Sequence, residues 1–165
     1  MGDDGLGVAM VEALRYRWSE EPGLSFLDGG TWGMQLMPDL EDAGRLLLLD
    51  VIRSGRPPGT LVRLERDQLP RHLHHKLSPH QIDLGEVLAL LELRGTFPEH
   101  AVALGIEPAA VVLGEGLSPL VAATVPSLID AVSEQLRRWG HRLVPMPVAS
   151  GPDVHHQPRS RALHA

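Results

Sequence analysis

Leu46-Leu47-Leu48-Leu49-Asp50-Val51-Ile52 is six aliphatic residues interrupted by a single carboxylate. A continuous apolar run of this length suits a strand buried on both faces, as in a parallel sheet covered by helices, although periodicity alone leaves a buried helix open. Asp50 is the informative residue. An unpaired buried carboxylate is expensive, so Asp50 has to be paired, metal-bound or placed at the exposed end of the sheet.

The pattern on either side supports the strand reading. Leu6, Met10, Leu14 and Trp18 recur every fourth residue and predict a helix over 6–18. Ser25-Phe26-Leu27 is a short strand candidate that runs into an Asp28-Gly29-Gly30 turn, and a brief helix follows over 33–40. After the apolar run, Arg56-Pro57-Pro58-Gly59 marks a loop and residues 60–64 alternate as a strand. Leu84, Val87, Leu88 and Leu91 form one helical face, and Gly95 stands where a C-cap belongs. Residues 101–106 are a further strand, and Ser118-Pro119 supplies an N-cap and first-turn proline for a long helix ending near Gly140. Pro126 lies inside that helix and predicts a kink or a restart. Strands alternating with helices give a three-layer α/β/α domain over residues 1–146; residues 147–165, rich in Pro, Ser, His and Arg, read as a flexible tail.

Composition narrows the function. The 165 residues suit one domain, and 43% apolar with 22% charged residues is ordinary for a soluble globular protein. A net charge of −6 offers no electrostatic reason for a nucleic acid or anionic membrane partner. The sequence contains no cysteine, which removes disulfides, thiolate metal sites and a cysteine nucleophile and suits a reducing cytoplasm. No apolar run approaches the roughly 20 residues of a membrane span, and Met1-Gly2-Asp3-Asp4 does not begin a signal peptide.

Four segments carry polar groups at expected strand ends or helix starts: Gly2-Asp3-Asp4-Gly5-Leu6-Gly7, Asp28-Gly29-Gly30-Thr31, Asp50, and Ser78-Pro79-His80-Gln81. Each except Asp50 has an ordinary structural reading. Asp3 and Asp4 can cap a helix, Asp28 can shape a turn, and His80 can lie exposed behind a Ser-Pro cap. The His72-Leu73-His74-His75 stretch sits among Arg71 and Lys76 and reads as an exposed polar segment. No P-loop, HExxH or GxSxG motif is present, and a dinucleotide role for Gly2–Gly5 and the glycine after Leu6 fails because two acids would face the pyrophosphate. The residues themselves therefore lead to a metal or acid–base site built from carboxylates and imidazole, and no further.

At these same positions the sequence resembles the hydrogenase maturation endopeptidases of [NiFe] hydrogenases. The matching blocks are the Gly2 to Gly7 stretch, Asp28-Gly29-Gly30-Thr31 with Gly33 and Leu36, Leu48-Leu49-Asp50, Leu77-Ser78-Pro79-His80-Gln81 and Gly116-Leu117-Ser118-Pro119, in family order from residue 1 to about 140. The resemblance implies a mostly parallel twisted sheet of about five strands. It also implies an endopeptidase that removes a C-terminal extension from the large-subunit precursor once nickel has been inserted. Nickel then belongs to the precursor, and Asp4, Asp50 and His80 are its implied contacts; Asp28 matches a further acid near the cleft. Which residues cleave stays open, with the same three as candidates. Two other classes also stay open: a small-molecule metallohydrolase on a similar fold, and a non-catalytic nickel or precursor-binding protein. The sequence departs from the family in one respect. Members begin with an apolar strand and a Gly-Asn turn, whereas this sequence starts inside that turn. Loss of such a strand forfeits on the order of 5–10 kcal/mol out of a typical ~5–15 kcal/mol, so the 165 residues alone are expected to fold poorly, with Met1 an internal methionine of a longer chain.

Overall fold

A computed structural model describes residues 2–19, 21–29, 33–69, 84–109 and 116–146. A 3-10 turn, Gly2–Gly5, leads into helix α1, Leu6–Arg17. A second 3-10 turn, Gly33–Leu36, precedes helix α2, Met37–Asp42. Strand β1, Arg45–Val51, and strand β2, Leu61–Glu65, come next. Helix α3, Leu84–Arg94, strand β3, His100–Ile106, and helix α4, Pro119–Arg138, complete the described order. The apolar run 46–52 is thus a strand, and the expected helices and the strands near 60 and 101 fall within a residue or two of their predicted limits. The His72–His75 segment, His80 and the tail from 147 lie outside the described residues.

The described sheet has three strands in the order β1-β3-β2. β1 runs parallel to β3, with Leu46 opposite Ala101, Asp50 opposite Gly105 and Val51 opposite Ile106. β2 runs antiparallel to β3, with Val62 opposite Gly105. Alternation sorts the side chains into two cores. Val102, Leu104 and Ile106 of β3, with Leu47, Leu49 and Val51 of β1, pack under α1 and α4 against Leu6, Met10, Leu14, Leu128 and Val132. Ala101 and Ala103 of β3, with Leu46, Leu48 and Ile52, pack under α2 and α3 against Met37, Leu40, Val87, Leu88 and Leu91. A strand apolar at every position is what a sheet covered on both sides requires, so the three-layer expectation holds.

One local expectation is corrected and another is narrowed. Ser25-Phe26-Leu27 forms no strand. It belongs to no ladder, and Phe26 is secured instead by burial in the α1–α4 core and by its carbonyl accepting a hydrogen bond from the Arg15 guanidinium. Pro126 does not make the last helix restart; α4 continues through it. The carbonyl that loses its partner belongs to Ala122, on the exposed side of the helix, where water can satisfy it. Finally, β1 is bonded to β3 along one edge, and among the described residues no strand pairs with its other edge. Leu46 to Leu49 accordingly keep partial exposure although helices cover both faces.

The parallel pairing is tight at its carboxyl end. A Cβ added to Gly105 would collide with the Asp50 carbonyl and lie 2.7 Å from Ile52 Cγ1. A Gly105→Ala variant is therefore expected to lose about 1–3 kcal/mol of stability through overpacking, measured by urea denaturation. Gly44→Ala, with open space around the added carbon, is expected to change stability by less than about 0.5 kcal/mol.

Candidate functional site

Because β1 and β3 are parallel, their carboxyl ends lie side by side, and the loops that follow them start from the same end of the sheet. The Gly2–Gly5 turn packs against β1 and, through Asp3, bonds to the segment that follows β3. Gly7, in the first turn of α1, is what permits the approach: a Cβ there would stand 2.6 Å from the Leu49 carbonyl oxygen and 3.9 Å from Asp50 Cα. Any larger residue would lift the start of α1 away from the strand.

The two acids of the turn divide the work. Asp3 is buried, at 8% exposure, and its carboxylate accepts hydrogen bonds from Ser118 N at 2.7 Å, Ala109 N at 3.0 Å and Ser118 Oγ at 3.1 Å. It ties the turn to the segment after β3 and to the start of α4. Ser118 Oγ in turn accepts from Val121 N at 3.4 Å, so one hydroxyl both caps α4 and meets Asp3. Asp3 does not cap α1, whose N-cap is Gly5 without a side-chain bond. The helix-capping reading of this acid is replaced by a long-range anchor.

Asp4 is exposed. Its Oδ1 lies 3.4 Å from Arg53 Nη2, two residues beyond the end of β1. Asp50 is half-buried, and its Oδ1 accepts from Val51 N at 2.8 Å. By strand alternation Asp50 shares the face of Leu46 and Leu48, toward α2 and α3, while Asp4 comes from the α1 side; both lie at the carboxyl end of β1. Asp28, the further acid, also falls among the described residues and is exposed. His80 lies outside them, and no cluster of three His, Asp or Glu able to hold a metal occurs among the described residues. Carboxylates at the open end of a sheet are the kind of oxygen donors that suit a divalent cation, and an imidazole would extend such a donor set toward nickel or zinc.

Glu107 is a residue the motif reading passed over. It follows β3 as Asp50 closes β1, and its Oε2 accepts from Ser54 Oγ at 2.7 Å, Ser54 N at 2.8 Å and Arg56 N at 3.3 Å. Its backbone joins the same loop, donating to the Thr60 carbonyl and accepting from Gly59 N, each at 2.8 Å. This one residue fixes the loop that follows Asp50. Burial pushes the Glu107 carboxyl up, but the hydrogen bonds donated by Ser54 and Arg56 outweigh it and hold the group below its ordinary 4.5. The available signal was an acid directly after an apolar strand, a weaker one than the carboxylate inside an apolar run that marked Asp50.

Two predictions follow from this division. Asp3→Asn is expected to destabilise the fold by about 1–3 kcal/mol, because it forfeits a buried acceptor. Asp4→Asn, losing only an exposed pair, is expected to cost less than about 1 kcal/mol in the same urea titration. Glu107, lowered in the folded state, contributes stability above the ordinary glutamate value, and that contribution is lost as pH falls through its folded value. Unfolding free energies measured from neutral to acid pH are expected to fall less steeply below about pH 5 in Glu107→Gln than in the unaltered protein.

Comparison with known proteins agrees with the resemblance. Residues 8–135 match the family model described as hydrogenase maturation protease. The chain is 36% identical over 152 residues to the hydrogenase expression/formation protein HoxM of Cupriavidus necator, covering 91% of this chain and 75% of that protein. It is 35% identical over 144 residues to the hydrogenase 2 maturation protease of Escherichia coli, covering 87% and 88%. The solved structure of the hydrogenase maturating endopeptidase HybD from E. coli superposes with a TM-score of 0.80 at 34% identity, over 88% of this chain and 90% of that one. A protein with this sheet, these carboxylates at its end and this similarity along most of its length belongs to the hydrogenase maturation protease family.

Proposed function

We propose that this protein is an endopeptidase that removes the C-terminal extension of a [NiFe] hydrogenase large-subunit precursor after nickel insertion. In this reading Asp4, Asp50 and His80 contact the nickel that the precursor carries. The observation that carries it is the contrast at the Gly2–Gly5 turn. Asp3 is consumed by three structural hydrogen bonds, while Asp4 beside it is exposed at the end of the strand that carries Asp50. A carboxylate that the fold holds at the sheet end and does not use for its own stability is available to a ligand.

The metal is part of the substrate here. Two carboxylates and one imidazole leave coordination positions for the precursor's own ligands, so the protease can read the presence of nickel without keeping it. Asp4 and Asp50 would hold the loaded metal from two sides of β1, and Glu107 would keep the loop after Asp50 in place. The 165 residues contain no cysteine, which argues against a thiol acyl-enzyme. Among the described residues no helix is long and apolar enough to cross a membrane, and we place the reaction in the cytoplasm, where nickel would be inserted into the precursor.

Co-expression with a large-subunit precursor, followed by mass spectrometry of the precursor's C-terminus, tests this reading. Asp50→Ala and His80→Ala are each expected to abolish trimming, whereas the double variant His74→Ala/His75→Ala is expected to leave it nearly intact. Asp50→Ala requires a parallel unfolding measurement because the residue is half-buried. Trimming that proceeds normally in His80→Ala would remove that histidine from the site. A precursor bound but never shortened would favour the non-catalytic binding role.

A further inference from the structure

Arg53 is placed where its charge bears directly on the site, and nothing in the function just proposed uses it. Its backbone is pinned on both sides. Ile52 N donates to the Ile106 carbonyl at 3.1 Å, and Ser54 is clamped by Glu107 through both its N–H and its hydroxyl. Its side chain extends from this anchored backbone, and its Nη2 lies 3.4 Å from Asp4 Oδ1. The two side chains are 45% and 43% exposed. An ion pair so exposed contributes little to stability and breaks readily. The arrangement is therefore a poor fold-stabilising device, yet its backbone anchoring is better than a surface arginine needs.

We infer that Arg53 is a counter-charge seated on Asp4 that weakens the site for free divalent cations and so reserves it for a metal already fixed in a docked precursor. The inference rests on the reading of Asp4 as a metal contact. A cation approaching Asp4 from solution must displace the guanidinium and then remain near its positive charge. Both effects lower affinity for a bare ion. A metal delivered by the precursor meets the same obstacle, but the protein–protein contacts formed at the same time contribute binding free energy that a free ion lacks. The preference is thus set against free metal and not against loaded substrate.

The test is calorimetric titration of the precursor-free protein with cadmium and, separately, nickel chloride. Arg53→Gln is expected to bind either ion about three- to tenfold more tightly than the unaltered protein, the range set by losing one nearby charge at an exposed site. Arg53→Lys is expected to stay close to the unaltered value, because it keeps the charge. The gain in Arg53→Gln is expected to shrink as sodium chloride rises from about 0.02 to about 0.5 M, where screening shortens the range of the charge. The double variant Asp4→Asn/Arg53→Gln is expected to show no gain over Asp4→Asn. If Asp4→Asn weakens binding but Arg53→Gln changes nothing, the role of Arg53 falls and that of Asp4 stands. Asp4→Asn binding as tightly as the unaltered protein, or no binding by any variant at about 1 mM metal, overturns both. A gain that persists in the double variant would show that Arg53 acts elsewhere, and would overturn the inference alone.

Discussion

Everything at the functional end of the molecule depends on the parallel pairing of Arg45–Val51 with His100–Ile106. Parallel strands send their carboxyl ends the same way, so the segments that follow them must share one edge of the sheet. Here those segments carry Asp50 and the Arg53 loop on one side, and Glu107, Ala109 and eventually Ser118 on the other. An antiparallel pairing, as β2 makes with β3, would have sent them to opposite ends. The closeness of the pair is set by glycine: Gly105 faces Asp50 and Ile52, and Gly7 lets α1 rest on Leu49 and Asp50. Backbones meeting backbones at these two positions are what bring a helix start, a strand end and a loop within reach of one another.

Much of this was legible in the sequence, and the reason differs by element. The run 46–52 declared itself because a strand with helices on both faces must be apolar at every position. The helices 84–94 and 119–138 declared themselves through an apolar stripe, a Ser-Pro start and a glycine stop. The segment around Phe26 misled because strand propensity describes a residue's fit to a ladder, and the ladder is a property of neighbours that a local window does not see. Pro126 left a restart open for a related reason: the cost of a proline depends on whether the carbonyl it orphans faces water, as that of Ala122 does.

Among the site residues, sequence alone found the acids and not their partners. Asp3 and Asp4 are chemically identical neighbours, and no propensity separates them. What separates them is Ser118, more than a hundred residues later, whose backbone and hydroxyl both reach Asp3. The match at Gly116-Leu117-Ser118-Pro119 thereby acquires a physical meaning: it is the other half of the anchor beneath Asp4. Glu107 went unmarked because an acid followed by proline reads locally as a loop, while its function is to collect three donors from the loop after β1. Two buried acids thus do the structural work, Asp3 for the turn and Glu107 for the loop, and two more accessible ones, Asp4 and Asp50, remain at the edge between them.

That partition bears on how such an enzyme can tell a finished substrate from an unfinished one. A protease that held a free metal tightly would be occupied before any precursor arrived, and its own ion would answer the question it is meant to ask. Discrimination requires that the metal and the precursor together bind far better than either alone, which is a coupling free energy. A site with few donors, at the open end of a sheet and facing solvent, keeps the metal's separate contribution small. Rigid support beneath those donors keeps the joint contribution large, because little ordering remains to be done when the loaded precursor docks. On the proposed reading of Asp4 as a metal contact, the buried anchors at Asp3 and Glu107 and the exposed carboxylate at Asp4 would be two requirements of one device: the backbone must be fixed so that the weak contacts, once made together, are enough.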